Sequence, residues 1–193
     1  MPNWCNNSIT IQGPTETLKT LWEEAKTSDP NGEFGLLNAM VPMPQELEGT
    51  TSPSKDGSES WYSWRVNNWG TKWDVSDEGL EFTDNGDGTA AITGWFDSAW
   101  APPINAYHTW LDDNDNCDLY ATYEEGGMDF AGIYDNGSDD YMDGVCEWAV
   151  AVLKGTCSLT DTPELFQKLD AELDLVESRS YLIDEDEEEE VTV

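Results

Sequence analysis

The stretch LEFTDNGDGTAAITGWFDSAW, residues 80–100, decides the fold. Its two ends carry alternating apolar residues, and DNGDG between them supplies the Asn, Asp and Gly that a tight turn accepts at low cost, so the segment reads as two strands of a β-hairpin. Downstream, Pro102 and Pro103 open a helix whose Ile104, Tyr107, His108 and Leu111 share a face, and CDLYATYEE at 117–125 returns as a strand. Upstream, NSITIQG at 7–13 alternates Ile9 and Ile11 with polar neighbours and ends at Gly13, the pattern of a half-buried strand. A helix follows in PTETLKTLWEEAKT, 14–27, where Leu18, Leu21, Trp22 and Ala25 form one apolar stripe.

After the turn signal SDPNG at 28–32, the run EFGLLNAMVPMP at 33–44 reads as a second strand, ended by Pro42 and Pro44, which lack the ladder donor. Residues 45–60 are polar, carry turn formers and read as a mobile loop; with the aromatic segment WYSWRVNNWGTKWD at 61–74 they belong to an insertion over about 45–79. Strand, helix, strand, long insertion, strand, helix, strand is the βαββαβ order of a ferredoxin-like α+β fold, with helices on one face of an antiparallel sheet. MDFAGIYD at 128–135 extends that sheet. Beyond it, DGVCEWAVAVLKGT at 143–156 fits a strand or a buried helix equally, and TPELFQKLDAEL at 162–173 fits a helix capped by Asp161 or Thr162. The expected division is a domain over 1–135, an appendage over 136–183 docked on it, and an acidic tail over 184–193 that self-repulsion keeps disordered.

Charge is the outlying quantity. The 193 residues include 41 Asp and Glu against 8 Lys and Arg, a formal net charge of -33. Between Lys72 and Lys154 no Lys or Arg occurs, while 19 acidic residues do, so the acidity belongs to the folded body as well as to the tail. Binding to nucleic acid depends on cations that neutralise phosphates, and binding to an anionic membrane has the same need, so both are disfavoured. Basic proteins and cations remain as partners. Excess carboxylates also keep a protein hydrated at high salt, which is a competing reason for the same composition.

Chemistry-bearing motifs are sparse. Cys5, Cys117, Cys146 and Cys157 contain no C-x-x-C pair and read as free thiols. His108 is the sole histidine and reads as a partly buried imidazole. DNDNCDLYATYE at 113–124 places acids at the first, third and twelfth positions of a calcium loop, but Asp118 stands where that loop needs Gly, so it is rejected. No cofactor, no metal and no catalytic residues are expected.

The aromatic segment offers two readings. In one, Trp61, Trp64, Trp69, Trp73, Trp95 and Trp100 form an aromatic core, with Lys72 paired to Asp74 or Asp97. In the other, Arg65, Asn68, Trp69, Lys72, Trp73, Trp95 and Trp100 line a shallow ligand pocket, the two cations serving an anion. A separate acidic interaction surface is expected from Asp112, Asp113, Asp115, Asp118, Asp139, Asp140 and Asp143.

Five stretches in order, MPNWCNN at 1–7, MVPMPQEL at 40–47, NNWGTKWD at 67–74, WFDSAWAPP at 95–103 and YEEGGMDFAG at 123–132, resemble the YubB-type ferredoxin-like family of phage and plasmid proteins. The resemblance covers roughly residues 1–135. It implies the same fold and an accessory protein of a mobile element, and it brings no catalytic residues to carry over.

The functional expectation is a non-enzymatic accessory protein of the host cytoplasm. Its carboxylates would imitate the phosphate rows of DNA or RNA, occupy the basic, nucleic-acid-binding surface of a host protein, and inhibit or modulate it, for instance against host defence. Two alternatives stand beside it: a sponge or sensor for an anionic small molecule at the Trp/Lys cluster, and a structural or acid-adapted protein.

Overall fold

A computed structural model describes residues 2–28, 33–54 and 57–183. The turn expected over 29–32 and the acidic tail over 184–193 lie outside the described residues. The fold is α+β, built on a six-stranded antiparallel sheet of order β2-β3-β1-β4-β5-β6.

Strand β1 (Trp4–Pro14) begins three residues before the expected start and lies in the middle of the sheet. Its odd-numbered residues Cys5, Asn7, Ile9 and Ile11 are buried, and its even-numbered Trp4, Asn6, Ser8 and Gln12 are exposed. The hairpin read from 80–100 is present as β2 (Leu80–Asp84) and β3 (Thr89–Ala99). β3 runs antiparallel along the whole of β1, from Trp4 opposite Ala99 to Pro14 opposite Thr89. Strand β4 (Asp118–Glu125) takes the other side of β1, and β5 (Phe130–Asp135) follows it.

Helix α1 (Thr15–Ala25) lays Leu18, Leu21 and Ala25 on this sheet. The strand expected over 33–44 is instead a helix, α2 (Leu36–Met40), which buries Leu36, Leu37 and Met40. The reason is a long-range cap: the Asp74 carboxylate accepts hydrogen bonds from Leu37 N–H at 2.8 Å and Asn38 N–H at 2.9 Å, satisfying two donors that an isolated helix start would leave open. The two strands that separate α1 from the next sheet helix are therefore those of the 80–99 hairpin.

Helix α3 (Trp61–Asn68) starts at a capping box in which Ser60 and Ser63 serve each other's backbone N–H groups. The loop before it is tethered. Thr50 Oγ1 accepts from Trp61 N–H and donates to the Leu47 carbonyl of a 3-10 turn, Gln45–Leu47. Helix α4 (Ile104–Asp113) follows the two prolines as expected, but its buried face is Ala106, Tyr107 and Trp110; Ile104, His108 and Leu111 sit at the margins.

Strand β6 (Ser138–Asp143), which the polar run NGSDD gave no reason to expect, pairs with β5 and forms the sheet edge. Residue 135 is the last residue of β5. It lies at the turn of a hairpin that carries the sheet onward. The ambiguous run at 143–156 is helical, as α5 (Val145–Leu153), and is followed by α6 (Glu164–Leu173) and α7 (Leu175–Ser178). Pro163 precedes α6 directly, and Thr162 donates to the Leu159 carbonyl rather than capping.

These last helices correct the expectation of helices on one face. Along β5, Phe130 and Tyr134 point to the side of α1 and α4, while Ala131 and Ile133 point the other way and pack with Val145, Ala149, Phe166, Leu169 and Leu175. Among the described residues, helices thus cover one face over β1–β5 and the second face at the β5–β6 end. Arg179, just past α7, pins this second layer: buried to 4% exposure, it donates to Glu124 Oε2 on β4 at 3.0 Å and to the Cys146 sulfur at 3.3 Å.

Arg179→Ala removes a buried side chain with its charge-assisted hydrogen bond to the partly exposed Glu124, and is expected to lower stability by about 2 kcal/mol. Urea denaturation checks this; a midpoint equal to that of the parent chain would show that the pair does not anchor the C-terminal helices.

Candidate binding groove

β3 is longer than β2. Pairing between them stops at Leu80 opposite Gly94, so among the described residues Trp95–Ala99 have a strand partner on the β1 side alone. The chain from Trp69 to Gly79 crosses the free side. It is fixed by two hydrogen bonds to β3, Thr71 Oγ1 to the Ala99 carbonyl at 2.9 Å and Trp95 N–H to the Gly79 carbonyl at 3.0 Å. The second contact needs two glycines. A Cβ on Gly79 would stand 2.2 Å from the Trp95 carbonyl oxygen, and one on Gly94, whose φ is +142°, would stand 1.9 Å from the Gly79 carbonyl oxygen.

Between this crossing chain and the end of β3 lies a groove of about 340 Å³, lined by Trp4, Trp73, Trp95, Asp97, Ser76 and Glu78 among others. Trp95 is 62% exposed and Trp4 46%, both unusual for the largest apolar side chain. Trp73 is half-buried between them and the core: its ring lies 5.7 Å from that of Trp4, and the Lys72 ammonium sits 4.4 Å from its centroid. On the other side of the Trp73–Glu78 segment is a second cavity, about 700 Å³, with Lys26, Phe34, Arg65 and Asp74 on its walls.

The expected ligand set divides accordingly. Trp69 is fully buried, with its indole N–H donating to the Val41 carbonyl at 2.8 Å, and Asn68 donates to the Trp64 carbonyl at 2.8 Å; both are scaffold rather than pocket. The Arg65 guanidinium lies over Trp69 at 4.7 Å and over Trp61 at 5.4 Å, facing the larger cavity. Trp73 and Trp95 meet at the smaller groove, whereas exposed Trp100 lines neither space.

The alternative of one aromatic core is corrected as well. Trp64 and Trp69 belong to the core, Trp61 and Trp73 are half-buried, and Trp95 and Trp100 are at the surface. Nor does Lys72 pair with Asp74 or Asp97 as expected. Its ammonium rests on the Trp73 and Tyr62 rings, Asp74 is occupied by α2, and Asp97 accepts from Asn6 Nδ2 at 2.6 Å. Sequence reading missed Trp4; extending the period-two alternation of β1 back from Ile9 would have placed it on the exposed face with Asn6 and Ser8.

The expected acidic surface is not one patch. Asp112 and Asp139 both bear on the Tyr134 hydroxyl, and Asp118 at the start of β4 accepts from Asn136 in the β5–β6 turn at 3.1 Å, so these gather at one end of the sheet. Asp143 is at the far end of β6, opposite Phe130, and Asp140 points to the face of Ile133. Asp113 turns toward Glu16 and Glu24 of α1, and Asp115 is exposed in the intervening loop.

Cys5 is the most enclosed thiol, and burial pushes its pKa up to about 12, which leaves it unreactive as a thiolate at neutral pH. All four cysteines are free. Among the described residues no group of three or more His, Cys, Asp or Glu side chains is placed to hold a metal ion, and no helix is long and apolar enough to cross a membrane.

No family model matches the chain and no curated protein is similar to it. Among solved structures, the crystal structure of protein api92 from Yersinia pseudotuberculosis, of family DUF1281, is similar at 19% identity and a TM-score of 0.38. The match covers 55% of this chain and spans 38% of that one.

Asp74 borders both cavities and has the most perturbed carboxyl described. Burial raises its pKa from 3.8 to about 6, outweighing the three backbone N–H donors at Leu37, Val75 and Asn38 and the nearby Arg65 charge, all of which favour ionisation. Since the folded pKa exceeds the unfolded one, the folded chain binds more protons between pH 4 and 6, and this residue's contribution to stability falls as pH rises through that window. Carboxyl-detected NMR is expected to show Asp74 titrating near pH 6; a midpoint at or below pH 4 would mean that its hydrogen bonds outweigh burial.

Proposed function

We propose that the protein is a non-enzymatic accessory protein of a phage or plasmid that acts in the host cytoplasm, where its acidic surface occupies the basic, nucleic-acid-binding surface of a host protein and inhibits or modulates it. The observation that carries this reading is how the molecule uses its few cations. Lys26 pairs with Glu23 at 2.7 Å and Lys168 with Glu164 at 3.5 Å, each along its own helix; Arg179 is buried on Glu124; Arg65 and Lys72 lie on tryptophan rings. Five of the eight Lys and Arg side chains are thus engaged within the chain, and the exposed carboxylates of the α4 end, the β2–β3 turn and β6 face solvent.

Such a field speeds encounter with a basic protein and repels nucleic acid, which gives competition without contact between the two polyanions. The order of β1, α1, β2, β3, α4 and β4, with α2 and α3 between α1 and β2 and with β1 between β3 and β4, is what the ferredoxin-like reading of residues 1–135 expects; the mobile-element context rests on the sequence resemblance.

The test is a tagged pull-down from host lysate at low and high salt, with added duplex DNA as competitor. Nucleic-acid-handling proteins captured at low salt and released by salt or DNA are expected. Partners that persist in excess DNA, or no specific partner at low salt, would overturn the reading.

A further inference from the structure

We propose that the groove between the outer edge of β3 and the Trp73–Glu78 segment is the specific anchor for that partner, seating the Arg or Lys side chains of an extended basic protein segment; this deepens the proposed function and rests on it. Three independent features converge there. The first is aromatic. Trp95 has one side against the Gly79 backbone, where a Cβ would meet its ring atoms at 2.8 Å, and remains 62% exposed; Trp4 adds a second exposed ring. An indole face attracts a cation through its quadrupole, more strongly than Tyr or Phe, and the molecule already uses it that way where Lys72 rests on Trp73 at 4.4 Å.

The second feature is charge. Asp97 and Glu78 are exposed at the groove beside the tryptophans, so a guanidinium or ammonium on the ring would also have a carboxylate within the same space. An anionic ligand would meet both of these carboxylates at close range. The third is backbone. Alternation along β3 directs Asp97 to the same side as Trp95 and Ala99, whose N–H and carbonyl are taken by Gly79 and Thr71. Asp97 thus faces the groove between them, at the position on this edge, between the two that the crossing chain holds, where an extended peptide gains main-chain pairing. A basic protein segment is the one occupant that fits rings, carboxylates and strand edge together.

The experiment measures binding of a fluorescein-labelled octa-arginine peptide by anisotropy to the full chain and to Trp95→Ala, Trp95→Phe, Asp97→Asn and the remote pair Asp112→Asn/Asp118→Asn. Trp95→Ala leaves net charge unchanged and removes a side chain that is mostly solvent-exposed, so circular dichroism is expected to be retained. Its affinity is expected to fall at least about tenfold, with most of it restored in Trp95→Phe, while the remote pair changes it less than Asp97→Asn does. Equal loss for Asp97→Asn and the remote pair, with none for Trp95→Ala, would overturn the groove as anchor and leave the diffuse acidic surface standing. No binding of the peptide by the parent chain would overturn both.

Discussion

The sheet is organised by the double pairing of β1. Its eleven residues bond to β3 along their full length and to β4 over seven positions from Asn6 to Gln12, so one strand joins the hairpin side of the molecule to the β4–β6 side. Because side chains alternate, that register commits Cys5, Asn7, Ile9 and Ile11 to the core beneath α1 and α4, and by the same step commits Trp4, Asn6 and Ser8 to the opposite face. Slipping the register by one residue would exchange the two sets. The exposed Trp4 is therefore a consequence of the strand that builds the core, and its position beside the free end of β3 follows from Ala99 being its partner.

Around this frame, the Trp73–Glu78 segment is held by what it caps. Asp74 reaches across to the N-terminus of α2, and in doing so it fixes both a five-residue helix too short to persist alone and the wall between two cavities. The arrangement is costly, since the carboxylate is held where burial resists its charge. Trp69 closes the other end through its bond to Val41, so the segment that sequence suggests as a pocket floor works mainly as a strap with an indole at each end: Trp69 inward, Trp73 outward.

The alternation of β1, the turn chemistry of DNGDG and the prolines before α4 are local signals, and the elements they indicate are present. Those that misled are decided elsewhere in the chain. EFGLLNAMVPMP has the composition of a strand, but the cap that makes it helical comes from Asp74, 37 residues beyond Leu37. SDDYMD carries little apolar signal because it is an edge strand, where acids oppose further pairing, and only its hairpin with β5 defines it. The apolar run at 145–153 could not be assigned to strand or helix because its partners, Phe166 and Leu169, lie on a later helix. In the candidate site the residue types were legible, but burial was not: Trp69 and Trp95 have the same chemistry and opposite exposure, set by which side of the strap and of β3 each occupies.

Acidity this large invites an explanation by field alone, but screening limits it. At physiological ionic strength the Debye length is about 8 Å, so carboxylates on opposite faces of a domain act on a bound partner almost independently. A diffuse surface then supplies encounter rate and salt sensitivity to any basic protein, without telling one from another. Discrimination needs groups that act at contact distance and have shape. In this molecule the exposed indoles at the end of β3, with carboxylates beside them, are placed where, among the described residues, the sheet lacks a neighbouring strand; on the proposed reading the charge spread over the remaining surface would gather partners there, and the rings would select among them.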